Sequence, residues 1–126
     1  MYMRNILVVD DDAITLELLE NMLTKTVSGQ IWTYDNSVEA LKFIQQADRD
    51  TIDLIISDWN MPGIDGVTFL QKSRMRCPAI PFLMMTATPT RELVTECKTL
   101  GVDDFVVKPI HKDDFIEKVT ALIMDD

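Results

Sequence analysis

Three aspartates in a row, Asp10, Asp11 and Asp12, follow the apolar run Ile6-Leu-Val-Val9. A fourth, Asp58, ends Asp53-Leu-Ile-Ile-Ser-Asp58 and opens a loop punctuated by Pro62, Gly63 and Gly66. Thr86 follows Phe82-Leu-Met-Met85, and Lys108 follows Phe105-Val-Val107 and precedes Pro109. Short apolar runs bounded by turn signals read as buried strands. Acids, a hydroxyl and an amine therefore all fall at strand carboxyl ends, where open α/β sheets bind ligands.

Asp10, Asp11 and Asp58 converge if the first and third strands are neighbours. Carboxylates held close repel one another and raise each other's pKa. A divalent cation relieves that repulsion, and an oxygen-only ligand set suits Mg²⁺. An aspartate can also act as a nucleophile and form an aspartyl phosphate. Lys108 and Thr86 could donate to the transferred group. Together these residues make a self-consistent phosphoryl-acceptor site.

Each residue taken alone has a plainer reading. An acid run is usually a solvated loop, and Asp12 suits the N-cap of a following helix. Thr86 could be a strand-end hydroxyl, Asp58 a turn former and Lys108 a surface charge. The joint placement at successive strand ends favours the site.

The elements that must position these groups can be read along the chain. Strands are expected at residues 5–9, 29–34, 52–57, 81–85 and 104–107. Helices are expected at 14–25, after a capping box Asn36-Ser-Val-Glu39, at 67–74, after Thr88-Pro89, and at 112–124. The first helix shows a stripe of Ile14, Leu18 and Met22 with Leu19 and Leu23 beside it. The second buries Ala40, Leu41 and Ile44. The fourth, capped by Thr88 with Pro89 at its first position, carries Leu93, Cys97 and Leu100 and stops at Gly101. The last spaces Phe115, Val119 and Leu122 along one face. Strands apolar on both faces, alternating with helices, predict a doubly wound α/β fold with a five-stranded parallel sheet. Periodicity does not give the strand order.

The chain has 126 residues, 47% of them hydrophobic and 26% charged, which suits one domain over residues 1–126. A net charge of -9 argues against a direct nucleic-acid interface, which needs a basic face. Cys77 and Cys97 form no C-x-x-C pair and read as reduced thiols. The N-terminus does not read as a signal peptide, and no apolar stretch approaches a membrane span. A cytoplasmic location without membrane insertion is the expectation.

The chain resembles the CheY-like receiver domains of response regulators over essentially its whole length. The similarity rests on Val8-Val9-Asp10-Asp11, Ser57-Asp58-Trp59-Asn60-Met61-Pro62, Asp65-Gly66, Thr86-Ala87 and Phe105-Val106-Val107-Lys108-Pro109. The resemblance implies the flavodoxin-like strand order 2-1-3-4-5 and a cis Lys108–Pro109 bond. It implies Asp58 as phosphoacceptor and Asp11 as a direct Mg²⁺ ligand. Asp10 would be the acidic neighbour, often acting through water, and Asn60 would offer its backbone carbonyl to the metal. Thr86 and Lys108 would contact phosphoryl oxygens, and Thr86 with Phe105 would form the switch. Phe105 departs from the tyrosine of CheY-type receivers, so burial rather than a hydroxyl should separate its two states. Thr88 stands where that type carries an acid, and with Asn60 it flanks the route of attacking water.

The resemblance also implies a histidine kinase or phosphotransfer protein as phosphodonor. The face of the fourth helix, fifth strand and fifth helix would be the output surface. The chain would be a switch that catalyses only its own phosphorylation and dephosphorylation, acting as a monomer or weak dimer. It would be either a complete single-domain regulator or a receiver from a longer regulator or hybrid kinase. Two other readings compete. A haloacid-dehalogenase-type phosphohydrolase could use Asp10-x-Asp12 and Thr86, but it expects a lysine before its later acidic pair, and here Asp103-Asp104 precede Lys108. An unphosphorylated pseudo-receiver would be an interaction module that does not bind Mg²⁺. His111 reads as a loop or cap residue. Asp103 and Asp104 read as solvated helix ends rather than partners of Lys98 and Lys118 across a dimer. Trp59 reads as a packing residue beside the site, placed to report metal binding by fluorescence.

Overall fold

A computed structural model describes residues 2–124. The elements in chain order are β1 (Ile6–Val9), α1 (Ala13–Thr24), β2 (Ile31–Tyr34), α2 (Ser37–Gln46) and β3 (Leu54–Asp58). They continue with α3 (Gly66–Arg76), β4 (Phe82–Thr86), α4 (Arg91–Leu100), β5 (Asp104–Val107) and α5 (Lys112–Ile123). The five strands form one parallel sheet in the order β2-β1-β3-β4-β5. The expected fold and strand order are both present.

The central strands are apolar on both faces because helices cover both. Leu7, Val9, Ile55, Phe82 and Met84 face one core with α2, α3 and α4. Ile6, Val8, Leu54, Ile56, Leu83 and Met85 face the other with α1 and α5. Each fully buried Leu, Ile or Phe contributes about 2 kcal/mol by leaving water. The edge strand β2 is only half-buried, and its Trp32 and Tyr34 pack on Phe43 of α2 at ring distances of 5.0 and 5.5 Å. Cys77 and Cys97 are buried in the first core, and burial pushes the Cys97 thiol up with help from Glu96. No helix among the described residues is long and apolar enough to cross a membrane.

Four expectations are corrected or refined. The buried stripe of α1 is Leu16, Leu19 and Leu23, whereas Ile14 and Leu18 are 78% and 44% exposed. The N-cap of α4 is Thr90, whose hydroxyl accepts from the Leu93 N–H; Thr88 and Pro89 lie in the preceding loop. In α5, Phe115, Val119 and Leu122 share one core face as expected, and Ile123 joins them as the most buried residue of the last turn. The Asp103 carboxylate is exposed, as expected, but it is also engaged: it accepts from the Phe82 N–H at 2.7 Å and from Arg74 at 3.0 Å. Lys118 turns back on its own chain, donating to the Phe105 carbonyl.

Other signals hold with smaller shifts. Asp12 caps α1, and Asn36 caps α2 by accepting from the Val38 and Glu39 N–H groups. Glu39, expected to complete a capping box, pairs with Lys42 at 3.5 Å. Gly101 ends α4 with φ of 81°, a conformation that glycine adopts at little cost. His111 sits at the N-cap of α5 without a side-chain capping bond. Helix α3 is longer than expected at both ends, from Gly66 to Arg76, and Asp65 caps it.

Candidate functional site

The chain runs from β1 outward to β2 and then crosses back to β3, so the order reverses between β1 and β3. A crevice opens there at the strand carboxyl ends. Val9 pairs with Ser57 across that boundary, which sets Asp10 beside Asp58. Carboxylate oxygens of Asp10, Asp11 and Asp58 lie within 4.8 Å of one another. Asp10 is fully buried, Asp58 is 7% exposed and Asp11 is exposed.

Backbone bonds hold the acids in place. The Asp10 N–H donates to the Tyr34 carbonyl at 3.1 Å, and Asp10 Oδ1 accepts from the Asp12 N–H at 2.9 Å. The Trp59 N–H donates to the Met85 carbonyl at 2.8 Å, so the ladder continues one residue past Asp58. The loop then folds back, with the Gly66 N–H on the Trp59 carbonyl at 2.9 Å. A Cβ at Gly66 would stand 2.7 Å from the Trp59 carbonyl oxygen and 2.8 Å from that of Asp58, so only glycine fits this close approach.

Lys108 reaches the cluster from the end of β5. Its Nζ is 2.8 Å from Asp10 Oδ2 and 3.3 Å from Asp58 Oδ1. Burial alone would lower the Lys108 pKa, but the bond to Asp10 and the charges of Asp10 and Asp58 raise it. Burial pushes the Asp58 carboxyl above its ordinary value and Asp10 adds to this, with Lys108 opposing. Thr86, buried at the tip of β4, accepts from the Thr88 N–H through Oγ1 at 3.1 Å, and its carbonyl accepts from the Lys108 N–H at 2.7 Å. The Lys108–Pro109 bond is cis.

The structure thus brings together Asp10, Asp11, Asp58 and Lys108, with Thr86 at the neighbouring strand end. Phe105 lies apart, paired with Met84 two residues before the Thr86–Val107 pair. Alternation along parallel strands puts Phe105 and Thr86 on the same face of the sheet. Asn60 is exposed in the loop after β3. Trp59 is partly buried against the core, as a packing residue would be.

Ser37 is a supporting residue that sequence reasoning missed. It is buried at the start of α2, donates from Oγ to the Pro62 carbonyl at 3.3 Å and accepts from the Ile64 N–H at 3.2 Å. It pins the β3–α3 loop to a different element. A serine just inside a helix start gives no sequence signal for such a distant bond.

The cluster fits a hard divalent cation. Its donors are all oxygens, and the raised Asp58 carboxyl reflects burial and repulsion that a cation would offset.

Comparison with known proteins agrees with this fold. The family described as "Response regulator receiver domain" matches residues 6–120. Chemotaxis protein CheY-3 of Vibrio cholerae is 31% identical over 119 residues, covering 93% of this chain and 89% of that protein. Cell cycle transcriptional regulator CtrA of Caulobacter vibrioides is 30% identical over 120 residues, covering 94% of this chain but 49% of that protein. The solved structure of Vibrio cholerae chemotaxis protein CheY4 superposes with a TM-score of 0.85 at 29% identity, covering 95% of this chain and 98% of that one. With a family match spanning most of its length, this chain belongs to the response regulator receiver domains of two-component systems, which are signalling domains rather than metabolic enzymes.

Proposed function

We propose that residues 1–126 form a phosphorylation-controlled switch whose acceptor is Asp58. The observation that carries this reading is the placement of Asp58. Its carboxylate ends a buried strand, with an ammonium at 3.3 Å and two further carboxylates within 4.8 Å. The donor is a phosphohistidine on a histidine kinase or phosphotransfer protein. An Asp58 oxygen attacks phosphorus, the P–N bond breaks, and its electron pair stays on the imidazole nitrogen. Lys108 and Thr86 take the charge on the phosphoryl oxygens. The Thr86 oxygen already accepts from Thr88, which leaves its own hydrogen to donate. Asp10, Asp11, Asp58 and the Asn60 backbone carbonyl would hold Mg²⁺, which supplies positive charge against both the carboxylates and the phosphoryl oxygens.

The acyl phosphate adds about -1.5 to -2 charges at Asp58. Thr86 and Phe105 share one face of the sheet, so a shift at Thr86 reaches Phe105 and then the surface of α4, β5 and α5. That surface would engage the downstream target.

The phosphohydrolase reading is less well supported. It needs Asp12 in the site, yet Asp12 caps α1, accepting from the Ile14 N–H at 3.3 Å and the Thr15 hydroxyl at 2.7 Å. Its later acidic pair would be Asp103-Asp104, which lie at the start of β5, the opposite end of the sheet from Asp58.

The test is intact mass after incubation with acetyl phosphate, with and without Mg²⁺, on this chain and on Asp58→Asn. One phosphoryl group that needs both Mg²⁺ and Asp58 is the expected result. An adduct on Asp58→Asn would overturn the assignment, and failure of Mg²⁺ to bind would leave an interaction module.

A further inference from the structure

β5 is an edge of the sheet, so alternate residues along it direct their N–H and C=O groups away from the ladder. Both polar backbone groups of Phe105 are taken by side chains. Its N–H donates to Asp104 Oδ1 at 2.8 Å, and its carbonyl accepts from Lys118 Nζ at 2.8 Å. The same ammonium stands 5.6 Å from the centre of the Phe105 ring. Asp114, one turn earlier on α5, lies 3.6 Å from it and orients it. One cation on α5 therefore grips both the backbone and the ring of a single residue on β5.

Phe105 has no hydroxyl with which to anchor either of two ring placements. What separates them is burial against the α2–α3–α4 core and contact with Lys118. A ring that turns away from this placement loses the cation–ring attraction, whereas the bond to the carbonyl can persist.

We propose that Lys118 is a positioning residue for the switch, holding Phe105 in its unphosphorylated placement and setting how readily the ring rearranges. This rests on the phosphoacceptor reading of Asp58 and adds a residue that lies outside the acid cluster. Removing the ammonium shifts the population toward the alternative placement. By thermodynamic reciprocity, an acyl-phosphate mimic that favours that placement then binds more tightly.

The experiment compares the wild-type chain with Lys118→Met and Lys118→Arg. Beryllofluoride is titrated in the presence of Mg²⁺ and followed by tryptophan fluorescence. Phe105 ring resonances are recorded without ligand, and thermal unfolding is measured alongside. Lys118→Met is expected to bind beryllofluoride about fivefold more tightly and to shift the ring resonances. Lys118→Arg, which keeps the cation and a donor, is expected to stay near wild type. A lower melting temperature with an unchanged beryllofluoride midpoint and unchanged ring resonances would show a merely structural contact and overturn the proposal. If the wild-type chain does not respond to beryllofluoride, the Asp58 reading falls. The ring resonances of Lys118→Met then decide the grip on Phe105, and an unchanged spectrum overturns it.

Discussion

Lys108 is bonded to Asp10, at 2.8 Å, more closely than to Asp58, at 3.3 Å. Asp10 is the fully buried member of the acid cluster, and an unpaired charge there would cost several kcal/mol. Lys108 is thus the counter-ion of Asp10. The same ammonium is the donor that a phosphoryl group would need. A divalent cation bound at Asp10 would compete with Lys108 for that carboxylate, and the amine would then be free to turn toward Asp58.

Truncating Lys108 separates these roles. Lys108→Ala is expected to lose about 3 kcal/mol of stability in EDTA, because Asp10 is left buried and unpaired. Millimolar Mg²⁺ should restore most of that loss and should bind more tightly than to wild type. Phosphorylation by acetyl phosphate should nevertheless slow about a hundredfold, roughly the worth of one charge-stabilising donor. Urea unfolding with and without Mg²⁺ checks the first part and intact-mass kinetics the second. A variant as stable as wild type in EDTA would remove the counter-ion role.

Asp58 gives a pH dependence whose sign is unusual for a carboxylate. Its pKa in the folded chain is raised above the ordinary 3.8 by burial and then by Asp10. The native state therefore holds a proton at Asp58 more tightly than the unfolded state does. Between 3.8 and the raised value, the folded chain binds more protons, so this group's contribution to stability falls as pH rises. Asp58→Asn removes that cost. In EDTA at pH 7 the variant is expected to melt above wild type, with the gap closing toward pH 3. Mg²⁺ should reverse the order, since it stabilises the intact cluster more. Lys108 acts oppositely at the alkaline end. Its raised pKa stabilises the fold fully below 10.5, and that stabilisation is lost as pH climbs through the raised value. Melting curves across pH in EDTA test this, and an Asp58→Asn variant less stable than wild type at neutral pH would contradict it.

The site residues were legible because each follows an apolar run that only a two-sided core can accommodate. What the sequence left open is what elements decide between them. Helix α1 carries apolar residues at 14, 16, 18, 19, 22 and 23, enough for two competing stripes. Periodicity favours 14-18-22, yet the sheet accepts 16-19-23, which packs with Ile6 and Val8. Ser37 and Lys108 are similar cases, since their partners lie 25 and 98 residues away. The output partner leaves no trace in the site residues, which serve the chemistry rather than recognition.

The bond between Asp103 and Phe82, 21 residues apart, is a further case, and it predicts a measurable cost. Its carboxylate accepts from the Phe82 N–H while its own N–H donates to the Phe82 carbonyl at 3.1 Å. This reciprocal pair joins β4 to β5 at the end away from the acids. Asp53 and Asn5 repeat it between β3 and β1, at 2.7 and 2.8 Å. Asp103→Ala orphans the N–H of the buried Phe82 and is expected to cost about 2 kcal/mol. Asp103→Asn, which keeps an acceptor oxygen, should cost less. Equal losses for the two variants by chemical denaturation would point to charge, through Arg74, rather than to the backbone bond.

The start of α4 gives the sharpest comparison between neighbouring residues. Sequence signals favour Thr88 followed by Pro89, yet Thr90 supplies the cap, accepting from the Leu93 N–H at 3.1 Å. Thr88 contributes its backbone instead: its N–H holds the Thr86 hydroxyl oxygen, and its carbonyl accepts from the Thr90 N–H at 2.9 Å. Thr90→Ala should therefore cost about 1 kcal/mol and speed amide exchange in the first turn of α4. Thr88→Ala keeps both backbone bonds and should stay within about 0.5 kcal/mol of wild type. A loss at Thr88 equal to that at Thr90 would mean that the helix starts where the sequence pattern suggested. Because α4 borders the proposed output face, the same pair of variants also tests whether that first turn belongs to the proposed switch. If it does, Thr90→Ala alters the beryllofluoride midpoint. If the turn only supports the fold, Thr90→Ala lowers the melting temperature and leaves the midpoint unchanged.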